Sequence, residues 1–194
     1  MKIGIIDYGA GNLQSVKNAL EKLNFKFGEI SAPADFAKFD KIILPGVGAA
    51  GATMKNLRAK KFDEKIRETK KPFLGICLGM QLLAEFCAEN ETETLGIFPG
   101  KILPFPNFLK KPQIGWNKIF LQKKSKLFAG ISDENYFYFV HSFFWENLQT
   151  ATATSFYGVE FAAAVEKENF FGVQFHPEKS GETGLKILKN FCDF

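Results

Sequence analysis

Apolar and polar positions change rhythm partway along this chain. Through the first 85 residues, short apolar runs at 2–7, 25–30, 41–44 and 73–76 are separated by longer stretches with helical spacing. Short runs with little alternation read as strands buried on both faces, the habit of parallel sheets. Tyr8-Gly9-Ala10-Gly11-Asn12 reads as a tight loop, after which Leu13, Val16, Ala19, Leu20 and Leu23 repeat at a helical period. Residues 33–39 suit a short helix, 51–69 a longer one with a break near Lys60-Lys61, and 80–84 another directly after Gly79. This β-α-β-α-β order predicts an α/β fold: a central, mostly parallel sheet with helices on both faces.

The second half is built differently. Strand-like segments at 96–103, 115–121, 135–140, 151–156, 161–166 and 170–175 follow one another, with turn signals such as Gly158 and Glu168-Asn169 between them. They predict a smaller antiparallel strand set with hairpins. Residues 89–94 are polar and loop-like. The stretch 101–113, with Pro104, Pro106 and Pro112, is the most loop-like of all. Leu185, Leu188 and Phe191 share one face of an amphipathic helix over 182–194. No repeat, low-complexity segment or linker divides the 194 residues, so a single domain over 1–194 is expected.

Composition narrows the function. A hydrophobic content of 46% supplies one core, and the 23 Phe are read as core filler. The net charge of +4 is mild and rests almost entirely on Lys, with Arg58 and Arg67 the only arginines. Reading bases or phosphates favours the arginine fork, so no nucleic-acid partner is expected. Three cysteines without a CxxC pair do not make a disulfide framework and point to a reducing compartment. His141 and His176, the two histidines, are too widely spaced for a His/Cys zinc site, and no metal or cofactor is expected. Without a signal-like start or an apolar run of membrane-spanning length, the expectation is a soluble, cytoplasmic protein with no membrane partner.

The chemistry gathers around Cys77. An apolar run ends at this residue, with Gly75 and Gly79 two positions to either side and helix-like sequence after it. Glycines there let the backbone take positive φ and let other groups approach closely. A Cys at a strand-to-helix turn is the arrangement of a nucleophile elbow, and the nearby helix start favours thiolate over thiol. A buried structural Cys would fit the same position taken alone. The second feature is Gln174-Phe175-His176-Pro177-Glu178, where Pro177 restricts His176 to extended conformations. His176 and Glu178 are expected to share one side of a rigid extended segment, with the carboxylate fixing the imidazole tautomer. Cys77, His176 and Glu178 then form a nucleophile, base and orienter. His141 is read as structural or interface-linked. The third feature, Pro45-Gly46-Val47-Gly48, ends a predicted strand next to Cys77, where a backbone oxyanion donor belongs.

The segments Gly75-Ile76-Cys77-Leu78-Gly79-Met80-Gln81 and Gln174-Phe175-His176-Pro177-Glu178 resemble class I (triad) glutamine amidotransferases. Further segments are similar, within that family, to the glutaminase subunits of imidazole glycerol phosphate synthase: Asp7 through Val16, the 45–48 loop, Gly115-Trp116-Asn117, Val140-His141-Ser142 and Lys179-Ser180. The likeness spans essentially the whole chain. It implies that Cys77 attacks the side-chain amide of L-glutamine, that His176 shuttles the proton, and that Glu178 orients His176. It implies an oxyanion hole from the backbone amides of Val47 and Leu78, and a glutamine site of Gly46, Gly48, Gln81, Ser142 and Phe143. It further implies a heterodimer with a (β/α)₈ synthase (cyclase) subunit, met by Asn12 and Lys179. That subunit would use the ammonia to form imidazole glycerol phosphate and AICAR in histidine biosynthesis. Three positions depart from the family pattern: Gln113 where His is usual, Phe143-Phe144 where Tyr-Tyr is usual, and Ala49-Ala50-Gly51 without the usual bulky aromatic. The departures leave two alternatives open, a divergent glutaminase serving another synthase, for example in surface-sugar amidation, and a non-hydrolytic activating subunit.

Overall fold

The computed structural model describes residues 1–9 and 12–194, so part of the loop expected at 8–12 lies outside the described residues. The first half alternates as its apolar runs predict. In chain order it contains β1 (Lys2–Ile6), α1 (Leu13–Lys22), β2 (Lys26–Ile30), β3 (Lys41–Leu44), α2 (Ala50–Ala59), α3 (Phe62–Glu68), β4 (Phe73–Ile76) and α4 (Leu78–Gln81). Pro33–Lys38 forms a 3-10 turn, and Lys61 takes a left-handed conformation (φ 57°) that parts α2 from α3 at the expected Lys60-Lys61 break. The rest comprises β5 (Phe86–Cys87), β6 (Thr92–Glu93), β7 (Lys101–Pro104), β8 (Gln113–Lys118), β9 (Phe120–Leu121), β10 (Tyr136–His141), β11 (Phe143–Trp145), β12 (Ala151–Phe156), β13 (Glu160–Lys167), β14 (Phe170–Val173) and α5 (Gly181–Asp193).

The main sheet runs β2-β1-β3-β4-β14-β13-β12-β9. It is parallel from β2 to β14 and antiparallel from β14 outward. Every residue of β3, β4 and β14 is buried, because both faces are covered and no polar alternation is needed. On one face Val16 and Leu20 of α1 and Leu188 and Phe191 of α5 pack against Ile3, Ile5 and Ile43. On the other, Met54 and Leu57 of α2 and Phe62 and Ile66 of α3 meet Ile6, Ile42 and Leu44. Two smaller sheets complete the second half, β10 with β8 and β11-β7-β5-β6. Among the described residues no helix is long and apolar enough to cross a membrane.

Three local expectations fail for identifiable reasons. The helix expected over 80–84 is a single turn ending at Gln81. The Leu83 N–H donates to the Met80 carbonyl and the Ala84 N–H to that of Gln81, each three residues back, so the chain tightens into turns there, and the Leu82 and Leu83 carbonyls then accept from the next loop. The strand-like 96–103 stretch, with its expected Gly-Ile-Phe-Pro-Gly turn inside it, is strand only from Lys101, because the turn occupies everything before. Conversely, the proline-rich 101–113 stretch contains β7 and the start of β8, with Pro104 placed at the last residue of its strand, where a missing N–H is tolerated.

Candidate active site

The register of β4 with β14 pairs Gly75 with Gly172 and Ile76 with Val173, which sets the next residues, Cys77 and Gln174, side by side. The Cys77 N–H donates to the Val173 carbonyl at 2.8 Å and continues the ladder. Cys77 itself then turns with φ 52° and ψ −110°. This corrects one expectation: the positive φ falls on the cysteine, and the flanking glycines serve close approach instead. A Cβ on Gly75 would stand 2.5 Å from the Gly79 carbonyl oxygen, and one on Gly79 would stand 2.0 Å from that of Leu44. Gly46 is equally confined, with its missing Cβ 2.5 Å from the Gly79 nitrogen. The three glycines thus bring the end of β3 and the Cys77 turn into backbone contact, so that Val47 and Leu78 face one space.

His176 and Glu178 meet, but not along an extended segment. His176 is extended (φ −97°, ψ 96°), and Pro177 then opens a 3-10 turn over Pro177–Lys179. The turn swings Glu178 back, and its Oε1 lies 2.8 Å from His176 Nδ1, with both side chains almost fully buried. Burial disfavours the imidazolium, yet the adjacent Cys77 and Glu178 outweigh it and raise the imidazole above its ordinary range, which makes it a better acceptor for the thiol proton. With Nδ1 committed to Glu178, Nε2 is left on the Cys77 side, without a hydrogen-bond partner among the described residues. The Cys77 thiol points to the Val140 carbonyl at 3.8 Å.

Cys77, His176, Val47, Leu78, Gly48, Gln81, Ser142 and Phe143 line one cavity of about 280 Å³. The site residues inferred from the sequence are therefore brought together, apart from four. Gly46 lies beneath the lining, and Glu178 stands behind His176. Asn12 accepts from the Ser15 N–H at the start of α1, and Lys179 is exposed with its ammonium 5.9 Å above the Tyr138 ring. The cavity also has walls that sequence reasoning passed over. Glu89 lies on it, from a stretch read as a polar loop, and its Oε2 accepts from the Ala50 N–H at 2.7 Å. His141 lies on it too, with Nδ1 2.8 Å from the Phe143 carbonyl. A carbonyl only accepts, so Nδ1 carries the proton. Burial, with His176 nearby, pushes this imidazole down to about 4 despite that hydrogen bond, so His141 is neutral. The Tyr8 hydroxyl, buried near the Val47 N–H and Thr53, forms no hydrogen bond among the described residues. Gln174 was visible only as part of a motif, yet its amide contacts both Gln81 and the Cys77 sulfur. All three cysteines are thiols, and among the described residues no cluster of His, Cys, Asp and Glu could hold a metal ion.

Comparison with known proteins gives the family and the fold. The family model "Glutamine amidotransferase class-I" matches residues 4–193. The imidazole glycerol phosphate synthase subunit HisH of Haemophilus influenzae is 47% identical over 195 residues, covering 100% of this chain and 98% of that protein. The HisH subunit of Chlorobaculum tepidum is 46% identical over 201 residues, covering 98% of each. In fold, the chain is similar to a putative GMP synthase protein of Thermoplasma acidophilum, with a TM-score of 0.76 at 22% identity over 98% of this chain and 92% of that one. It is likewise similar to PurLQS of Thermotoga maritima, with a TM-score of 0.74 at 18% identity over 99% of this chain and 97% of that one. The chain belongs to the class-I glutamine amidotransferases and, within them, to the HisH subunits.

Proposed function

We propose that residues 1–194 act as one amidotransferase domain that hydrolyses L-glutamine and delivers the ammonia to a (β/α)₈ synthase subunit. That partner forms imidazole glycerol phosphate and AICAR in histidine biosynthesis. The observation that carries the reading is the convergence, from distant parts of the chain, of Cys77 and the His176–Glu178 pair, with Cys77 and His176 on the wall of one small cavity and Glu178 behind His176. His176 Nε2 takes the thiol proton, and Sγ attacks the amide carbon of glutamine. The negative charge that develops on the carbonyl oxygen is met by the backbone N–H groups of Val47 and Leu78, a type of contact whose loss costs ~10²–10³ in rate. His176 passes its proton to the departing ammonia, and water then cleaves the glutamyl thioester to glutamate. Glu89, the carboxylate of the lining, takes the α-ammonium group of glutamine, while Gln81, Ser142 and Phe143 hold the rest.

The full-length identity to HisH subunits favours the histidine-pathway partner over another synthase. A surface for it lies beside Lys179. Ile114 and Trp116 of β8 and Tyr136 of β10 are each more than half exposed, an apolar group on an otherwise Lys-rich exterior. The deciding experiment is a Cys77→Ala chain assayed with its synthase. Glutamine-driven product formation should vanish while synthesis from added ammonium salt continues. Retention of the glutamine-driven reaction would refute the assignment, and loss of both would mean that Cys77 holds the complex together.

A further inference from the structure

Gln174 is a fully buried polar side chain between the apolar Val173 and Phe175. Its carboxamide has a defined orientation. Gln81 Nε2 lies 3.0 Å from the Phe143 carbonyl oxygen, and a carbonyl can only accept, so that Gln81 atom is the nitrogen. The second proton of the same NH₂ goes to Gln174 at 2.9 Å, so the Gln174 atom facing Gln81 is the oxygen. The Gln174 nitrogen therefore points the other way, and it stands 3.6 Å from Cys77 Sγ. One backbone carbonyl thus sets the direction of every donor along the chain of contacts that ends at the sulfur.

We propose that Gln174 is a second catalytic partner of Cys77, whose side-chain N–H stabilises the sulfur as thiolate, and that Gln81 is the positioning residue that aims this N–H. The proposal rests on the reading of Cys77 as nucleophile. In the resting thiol the S–H points to the Val140 carbonyl, and the Gln174 contact is a weak one to neutral sulfur. When the proton moves to His176 Nε2, the electron pair stays on sulfur. The same N–H then becomes a charge-assisted donor, roughly twice as strong as a neutral one. Attack on the amide carbon moves that charge onto the carbonyl oxygen, collapse with loss of ammonia leaves a neutral thioester, and the Gln174 contact relaxes again. Hydrolysis returns the thiolate, and with it the stronger bond. A Gln174 that merely filled space or satisfied Gln81 would not respond to the protonation state of sulfur.

The test measures alkylation of Cys77 by iodoacetamide against pH in the full chain, read by peptide mass. Cys87 and Cys192, buried and with thiols pushed up to about 11 and about 12, do not compete. Gln174→Met and Gln174→Leu each remove the N–H donor at similar size without adding charge or a new donor, so any change at sulfur reports the lost contact. In each variant the alkylation midpoint should rise by about one pH unit or more. With the synthase present, kcat for glutamine should fall ~10–100-fold, the range for losing one hydrogen bond to a charged group, with KM changed less than about twofold. Thermal melts establish that the variants are folded, and an unmoved midpoint in a folded variant overturns the proposal. A measurement on the unaltered chain needs no variant: the side-chain amide signal of Gln174 in NMR should shift with the midpoint seen in alkylation, and a flat signal overturns the proposal as well. Cys77→Ala separates the two levels. If it retains glutamine-driven turnover, the nucleophile assignment fails. If it is inactive while the Gln174 variants keep the wild-type midpoint, only the role of Gln174 fails.

Discussion

Cys77 holds a backbone conformation, φ 52° and ψ −110°, that side chains with a Cβ rarely adopt. Such strain costs ~1–3 kcal/mol and persists only where the surroundings impose it. Here they do, through the Val173 carbonyl on one side and the glycine-lined contact with β3 on the other. The strain aims Sγ into the cavity, off the line of β4. Replacing Cys77 by Gly should relieve it, whereas Ala keeps the Cβ and the strain. Allowing for the extra freedom that Gly has in the unfolded chain, the Gly variant should be more stable than the Ala variant by about 1 kcal/mol, or ~2–4 °C in melting temperature. Equal melting temperatures would show that the elbow is relaxed. Both variants lack the thiol and should be equally inactive with glutamine, so stability and chemistry separate at one position.

At the level of elements, the glycines at the β3–α4 contact differ in kind from those in open turns. Gly79→Ala would drive a Cβ to 2.0 Å from a backbone oxygen of β3 and should cost ~2–3 kcal/mol together with glutaminase activity. Gly96→Ala is the control: nothing lies within 4 Å of its added Cβ, and only its φ of +64° resists, worth ~1 kcal/mol. Denaturant titration of both variants distinguishes them, and similar losses would show that the contact can yield. The parallel strands were legible because burial on both faces leaves unbroken apolar runs. The two-residue strands β5 and β6 were not, since two residues carry no period, and α4, read as a helix over 80–84, was missed only in extent, because the Leu83 and Ala84 N–H groups bond three residues back and close turns. In the site, Cys77, His176 and Glu178 stood out as a combination of residue types, and their family resemblance supplied the roles. The turn that joins His176 to Glu178 was misread as extended, because Pro177 fixes its own φ but not the course of the chain after it. Glu89 stayed hidden because an acid in a polar loop reads as solvent-facing until the Ala50 N–H is found beside it.

Over the whole molecule, His141 ties stability to pH. Its imidazole is pushed down to about 4 from an ordinary 6.5 by burial, with aromatic rings such as Phe105 and Phe161 packed around it. The unfolded chain takes up a proton near pH 6.5 that the folded chain refuses until about pH 4. The contribution of His141 is therefore complete above pH 6.5 and is lost as pH falls toward 4, at up to about 1.4 kcal/mol per pH unit. Denaturant unfolding at a series of pH values should show this slope. His141→Asn, whose amide can still donate to the Phe143 carbonyl, should flatten it, and an unchanged slope would assign the acid sensitivity to other groups. A different consequence follows from the place of β14, which fits between β4 and β13 and pairs with a strand 97 residues earlier in the chain. Synthesis proceeds from the N-terminal end, so β4 is finished long before its neighbour emerges. In that interval its open edge of N–H and C=O groups is a template for stray strands, and Cys77 has neither His176 nor Gln174 beside it. When β14 slots in, the edge closes and the thiol acquires both in the same event. An unfinished chain is thus prone to stick to its neighbours but idle toward glutamine, and docking of one strand ends both conditions.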